Sequence, residues 1–202
     1  MADVNNNDSD LIWEEVSTEH ILQNEWIDIR KSRYRFPDGS EFEPFYSYSR
    51  RDYVVIVASD TDGNYICVRQ FRQGIKEVTT EFPAGGIERR DGKEYREDSA
   101  PGDIPAEDAL EAAKRELMEE TGYESDNWQH LLTVPSNATI ADNYAYLFVA
   151  RDCRLVAGQS LDTTEFLKVV KLPAQEIERL IREGDFKQAM HIAAWLLALR
   201  RN

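Results

Sequence analysis

Arg115-Glu116-Leu117-Met118-Glu119-Glu120-Thr121-Gly122-Tyr123 decides the reading of this chain, with Glu107 eight residues before its arginine. On an α-helix the i, i+3 and i+4 positions share one face, so Glu116, Glu119 and Glu120 project together. Like charges at that spacing repel, and at the C-terminal end of a helix they also oppose the macrodipole. A bound divalent cation would offset that cost. The plain alternative is a solvated acidic face that ends at Gly122 as a C-cap.

The residues around the run choose between the two. Seven residues separate Glu107 from Arg115, and an aliphatic residue, any residue, Glu-Glu, any residue, Gly and an apolar residue follow Arg-Glu. Upstream stands Glu81-Phe82-Pro83-Ala84-Gly85-Gly86-Ile87-Glu88. Together these resemble the Nudix box and, in the Pro-Ala-Gly stretch, its ADP-ribose pyrophosphatase-like members. The box glycine does not fall at its usual distance: Pro101 stands there, and Gly102 is one place late. Gly85 is therefore read as the box glycine, with an insertion of about sixteen residues before Glu107. The inserted segment, about 89–104, is charged, carries Gly and Pro, and reads as an exposed loop; its place suggests a flap over the substrate.

Length and charge bound the rest. A chain of 202 residues can bury a sizeable core as one domain with a small appendage. Its formal net charge of −14 argues against nucleic acid, whose phosphates need clustered Lys and Arg. The same charge means a phosphate-bearing substrate would need metal ions or local arginines to reverse the potential. Cys67 and Cys153 lie in apolar strand-like runs without metal-ligand spacing and read as buried free thiols. Residues 1–10 are polar, acidic and read as a disordered N-terminus with no signal-peptide pattern. The longest apolar stretch, 192–199, is too short to span a membrane. A cytoplasmic setting follows.

Strands are expected at 26–36 and 41–48, joined at Pro37-Asp38-Gly39, then at 53–58, 65–69, 77–82, 131–134, 144–150 and 166–170. The box helix is expected from Asp108, with Glu111 completing a capping box. Leu110, Ala113 and Leu117 give it an apolar stripe that leaves Glu116 and Glu120 aside. Two helices, 174–183 and 186–200, close the chain. The expected fold class is α/β, a mixed sheet sandwiched between helices. The resemblance implies the same Nudix-type α/β/α sandwich over 51–202. It also implies a small N-terminal antiparallel β unit over 11–50 used for homodimerisation.

What the resemblance implies about chemistry can be placed residue by residue. Glu116 and Glu120 match the family's metal-ligating glutamates, and the carbonyl of Ala84 adds a ligand for Mg²⁺, or Mn²⁺. Glu119 would be a ligand, an outer group or a base. Arg115 would orient carboxylates. A loop acid commonly serves as base, and Glu165 in Asp162-Thr163-Thr164-Glu165 aligns best with it. Where some members carry a second acid this chain has Thr163, so Glu165, Asp162 and Glu119 all stand as candidates for the base. Trp26 matches a base-stacking tryptophan, with Phe45 or Tyr46 as the opposite wall. Arg72 matches an arginine that approaches phosphate, and Glu81 would meet the nucleobase or ribose. The stretch 135–139 departs from the Ser-Pro-Gly of ADP-ribose hydrolases.

The implied activity is Mg²⁺-dependent hydrolysis of a nucleoside diphosphate linked to another moiety, with ADP-ribose first and another nucleotide sugar second. A Nudix-fold sensor that binds such a ligand without cleaving it is the alternative of a different class.

Overall fold

A computed structural model of the chain describes residues 8–24, 26–88 and 106–200, which form two compact units. The first comprises the described residues up to Arg50 together with Asn137–Asn143; the second comprises those of Arg51–Ser136 and Tyr144–Asn202. The inserted segment expected at 89–104 lies outside the described residues. So does the expected disordered terminus, except that Asp8–Leu11 form a single 3-10 turn.

The first unit is a three-stranded antiparallel sheet in the order β1 (Glu14–Gln23), β2 (Asp28–Arg35), β3 (Glu41–Ser49). β1 was not expected. Its register against β2 shifts between Glu15 and Ser17 and again between His20 and Leu22. Each shift reverses the side that side chains face, which erases the period of two by which strands are read. Trp13, Tyr34, Phe36, Phe42 and Phe45 form a ring cluster with centroids 4.6 to 6.3 Å apart, Phe45 touching the other four. Edge-to-face geometry dominates it, as the ring quadrupoles favour. The Asn137–Asn143 segment joins this unit through the Tyr48 N–H, which donates to the Ile140 carbonyl at 2.8 Å, and the Arg30–Asp142 ion pair, also at 2.8 Å.

The second unit runs β4 (Tyr53–Asp60), β5 (Tyr65–Arg72), β6 (Glu77–Glu81), β7 (Ala84–Gly86), α1 (Ala106–Thr121), β8 (Tyr123–Glu124), β9 (Asn127–Pro135), β10 (Tyr144–Leu155), β11 (Leu167–Leu172), α2 (Ala174–Glu183) and α3 (Ala189–Arg200). The sheet order is β11-β5-β4-β10-β8, with β6 beside β5, β7 beside β4 and β9 beside β10. β4 and β10 pair in parallel and the other pairs are antiparallel, so the sheet is mixed.

The parallel pair sits at the centre, covered on both faces. Val54, Ile56 and Ala58 of β4, with Tyr146, Phe148 and Ala150 of β10, pack against Ala109, Ala113 and Leu117 of α1. The intervening Val55, Val57, Leu147 and Val149 pack with Ile177 of α2 and Ala194, Trp195 and Ala198 of α3. Continuous apolar runs are what a strand buried on both faces requires. The result is the expected α/β/α layering.

Some boundaries move. α1 begins at Ala106, immediately after Pro105 in the sequence and two residues before the expected start. The expected capping box depends on the Asp108 side chain, which lies outside what is described. α3 begins at Ala189 instead of 186, because Phe186 is itself a core residue whose N–H donates to the Leu180 carbonyl at 3.1 Å. Cys67 and Cys153 are free and buried, as expected.

Candidate active site

β7 and the C-terminal half of α1 meet face to face. Gly85 pairs with Val54 and Ala84 with Val55, which holds the turn after Pro83 against the centre of the sheet. The Ala84 N–H donates to Glu120 Oε2 at 3.1 Å. Glu116 lies so close to Gly85 that a Cβ there would fall 2.0 Å from the Glu116 Cδ. A side chain at 85 would require the Glu116 carboxylate to move from this position.

Glu116 and Glu120 are buried, at 8% and 3% exposure. This overturns the solvated acidic face. Burial pushes the Glu116 carboxyl up to about 7; Arg115 opposes the rise, and the charges of Glu119 and Glu165 add to it. Burial also raises Glu120 well above the usual carboxylate range, against the pull of the Ala84 N–H, with Glu116 and Glu165 raising it further. Two carboxylates buried on one helix face, the charge of Glu116 raising Glu120, carry more negative charge than the protein neutralises.

Arg115 is the nearest cation. It contacts Glu119 Oε2 at 2.7 Å through Nη1 and, through Nη2, Glu116 Oε1 at 2.8 Å and the Gly86 carbonyl at 2.9 Å. It thus ties the box helix to β7 and orients two of the three box carboxylates. Among the described residues no three His, Cys, Asp or Glu side chains converge as a ready-made cage. The donor set nonetheless fits a hard divalent cation: buried carboxylate oxygens of raised proton affinity, on one helix face, beside a backbone turn.

The loop between β10 and β11 is anchored on the C-terminal end of α1. Gly122 adopts a left-handed φ of 74°, and its carbonyl accepts from the Val156 and Ala157 N–H groups at 3.0 and 3.2 Å. A Cβ at 122 would sit 2.1 Å from the Ala157 carbonyl oxygen, so only glycine permits this approach. The Ser160 N–H donates to the Glu119 carbonyl at 2.9 Å and Gln159 Nε2 to that of Glu120 at 2.7 Å. These partners satisfy helix-end carbonyls that the helix itself leaves open. The same loop brings Glu165 to where its charge bears on Glu116 and Glu120. Asp162 is exposed, and its backbone N–H donates to Glu165 Oε2 at 3.2 Å.

Arg72, at the end of β5, grips Glu81 with Nε at 2.9 Å and Nη2 at 2.5 Å, and its charge reaches Glu120. Glu81 has no exposed surface and also accepts from the Thr79 hydroxyl. Its carboxylate therefore stands behind Arg72 instead of opening toward a nucleobase or ribose. On the other side the Phe82 N–H donates to His191 Nδ1 of α3 at 3.1 Å. His191 was not anticipated, since one histidine in an apolar helix gives no sign of its partner.

The second unit thus gathers Ala84, Glu116, Glu119, Glu120, Arg115, Arg72, Glu81 and Glu165. Trp26 and Phe45 belong to the first unit, where Trp26 is 67% exposed and Phe45 is held within the ring cluster.

With this geometry in hand, sequence comparison identifies the family. The NUDIX domain model matches residues 49–193, which contain all eight of the gathered residues. The chain belongs to the Nudix family.

A relative named ADP-ribose pyrophosphatase, from Bacillus subtilis (strain 168), is 24% identical over 181 residues, covering 86% of this chain and 85% of its own. Another of that name, from Mycobacterium tuberculosis, is 25% identical over 190 residues, covering 91% and 82%. A protein named methanol dehydrogenase activator, from Bacillus methanolicus, is 25% identical over 175 residues, covering 83% and 82%. A solved structure described as an ADP compounds hydrolase shares the fold, with a TM-score of 0.72 at 21% identity over 93% of this chain and 92% of its own. Within the Nudix family the chain is similar to relatives named ADP-ribose pyrophosphatase, and by class it is a Nudix pyrophosphohydrolase.

Proposed function

We propose that this Nudix enzyme hydrolyses the diphosphate bond of a nucleoside diphosphate linked to another moiety, ADP-ribose first, giving AMP and ribose 5-phosphate. The observation that carries the reading is the pair of buried carboxylates, Glu116 and Glu120, pressed against Gly85 and Ala84 with Arg72 nearby. Glu116, Glu120 and the Ala84 carbonyl would hold Mg²⁺, or Mn²⁺. Such an ion, when bound, neutralises phosphate oxygens and acidifies water. Arg72 contributes a guanidinium whose orientation Glu81 fixes from behind, leaving Nη1 to meet phosphate. Arg115 keeps Glu116 and Glu119 in register with β7.

For the base, Glu165 has the best support, because its charge acts on both buried glutamates while Glu119 is engaged by Arg115. It takes a proton from the water whose oxygen attacks phosphorus, and the bridging P–O bond breaks. Trp26 is the candidate for stacking on the base, supported by its exposure. Phe45 as a second wall has less support, since its ring already packs against four others.

Another nucleotide sugar is the nearest competing substrate, a reading supported by the departure of residues 135–139 from the Ser-Pro-Gly stretch of ADP-ribose hydrolases. We also assign homodimerisation to the N-terminal sheet: all ten residues of β1 are exposed, Val16, Ile21 and Leu22 among them. Buried free thiols suit a cytoplasmic setting, and among the described residues no helix is long and apolar enough to cross a membrane.

The test is phosphate release, after phosphatase coupling, from ADP-ribose, nucleotide sugars, dinucleotides and nucleoside triphosphates with Mg²⁺, wild type beside Glu120→Gln. Turnover concentrated on ADP-ribose and lost in the variant is the expected result. Turnover on a different sugar moves the substrate and keeps the site. Silence across the panel with ligand binding intact would make the protein a sensor.

A further inference from the structure

We propose that His191 is a positioning residue for this hydrolysis, holding with one ring nitrogen the backbone that leads into Ala84 and backing with the other the carboxylate that aims Arg72. The inference rests on the reading that Ala84 serves a metal ion and Arg72 a phosphate.

His191 lies on α3, at 3% exposure, between Met190 and Ile192 in a helix whose other buried residues are alanines and a tryptophan. An imidazole in such a place must have both nitrogens accounted for. Nδ1 accepts from the Phe82 N–H at 3.1 Å. That bond requires an unprotonated Nδ1, so the neutral ring carries its hydrogen on Nε2. Nε2 faces Glu81 Oε2 at 4.0 Å, too far for a hydrogen bond but close enough for the N–H dipole to stabilise the carboxylate. Burial keeps the ring neutral, lowering its pKa to about 4 even though the Glu81 charge works the other way.

Both arms of the histidine lead to the site. From Phe82 the chain passes through Pro83, whose carbonyl accepts from the Ile56 N–H at 2.9 Å, to Ala84, whose N–H meets Glu120. Phe82 is fully buried against Phe186 and Trp195, so its ring is fixed by packing, but its N–H has His191 as its acceptor. From Glu81 the path is direct, through two guanidinium hydrogen bonds to Arg72. One residue on α3 thus sets the turn that faces the metal helix and the arginine beside it. A histidine that only filled the core would need neither arm to end at a functional group.

Isosteric substitutions separate the arms. In His191→Asn the side-chain oxygen takes the place of Nδ1 and keeps the Phe82 bond, while the group facing Glu81 is lost. In His191→Gln the amide reaches toward Glu81 and the acceptor for Phe82 is lost. His191→Leu removes both. With Mg²⁺ and the substrate the enzyme turns over, well below each melting temperature, Asn should raise KM several-fold and leave the Mg²⁺ activation constant within about twofold. Gln should raise the Mg²⁺ constant about tenfold, and Leu should do both and lower kcat.

A measurement without turnover accompanies these: calorimetric titration of Mn²⁺ into each protein. Weaker binding in Leu and Gln, restored in Asn, supports the inference. Equal Mn²⁺ affinity in wild type, Asn, Gln and Leu overturns it while leaving the proposed function standing. A wild type that binds no Mn²⁺ removes the reading on which it rests. If Leu does not fold, the Asn and Gln proteins decide the matter between them, since each keeps one polar arm; a lower melting temperature with unchanged KM, kcat and Mn²⁺ affinity in both would reduce His191 to a core residue.

Discussion

Glu116 occupies the space that a side chain on residue 85 would need: a Cβ there would lie 2.0 to 2.2 Å from its carboxyl carbon and both oxygens. Gly85→Ala must therefore push the Glu116 carboxylate away or shift β7 off β4. Either response moves a proposed ligand with the global fold largely kept. Overpacking of this kind costs on the order of 1–3 kcal/mol. Turnover should fall far more, by about a hundredfold or beyond, because misplacement near 1 Å suffices for that. Circular dichroism melts beside Mg²⁺-dependent kinetics check it; a variant with wild-type kcat would mean that Glu116 need not sit against Gly85 for catalysis.

The raised proton affinity of Glu116 makes metal-free stability depend on pH. Its folded value, about 7, exceeds the usual value of 4.5, so the fold favours the neutral carboxyl. The stabilisation is fully present below the unfolded value and is lost as pH rises through about 7. The difference amounts to roughly 3 kcal/mol at most. With EDTA present, the melting temperature should fall between pH 5 and pH 8, and Glu116→Gln should flatten that fall and melt higher than wild type at pH 8. Added Mg²⁺ should stabilise wild type more at pH 8 than at pH 5, since binding displaces protons. A melting temperature independent of pH in EDTA would show that Glu116 is neutralised within the protein itself.

The legible parts of this molecule are those written in local periodicity. Glu116, Glu119 and Glu120 can be placed on one helix face from spacing alone, and the doubly apolar runs of β4 and β10 announce a sheet covered on both sides. β1 could not be read because its register shifts break the alternation. β7 and β8 are three and two residues long and exist only as pairing with β4 and β10. Gln159 and Ser160 became visible only as caps on carbonyls about forty residues earlier in the chain. His191 and Glu81 share a different difficulty. A residue type names a chemistry, but whether it faces solvent or the back of an arginine is decided by tertiary packing, which spacing does not encode. Phe45 shows the same limit, its ring being the hub of a cluster whose members come from three stretches of the sequence.

Arg72 and Glu81 form an ion pair whose two ends are unequal. Glu81 has no exposed surface, whereas the Arg72 side chain is one-third exposed. Although burial pushes the other way, the grip of Arg72 holds the Glu81 carboxyl below the usual range. Removing the arginine leaves a buried carboxylate with Thr79 and the His191 dipole alone, a change that costs on the order of 3–5 kcal/mol. Removing the carboxylate charge leaves a guanidinium that water can reach, so Glu81→Gln should cost less than half as much. The prediction is that Arg72→Met destabilises the protein more than Glu81→Gln, and that the double variant recovers part of the Arg72→Met loss. The Arg72→Met penalty should also grow with pH, because its orphaned carboxyl gains protons in the fold as pH falls. Urea unfolding of wild type, both single variants and the double variant at pH 5 and pH 8 measures the coupling. Kinetics should show the complementary pattern: Arg72→Met raises KM through loss of the phosphate contact, and Glu81→Gln raises it less, through loss of aim alone. Equal penalties at both positions would mean that the pair is as solvated at Glu81 as at Arg72, contrary to its burial.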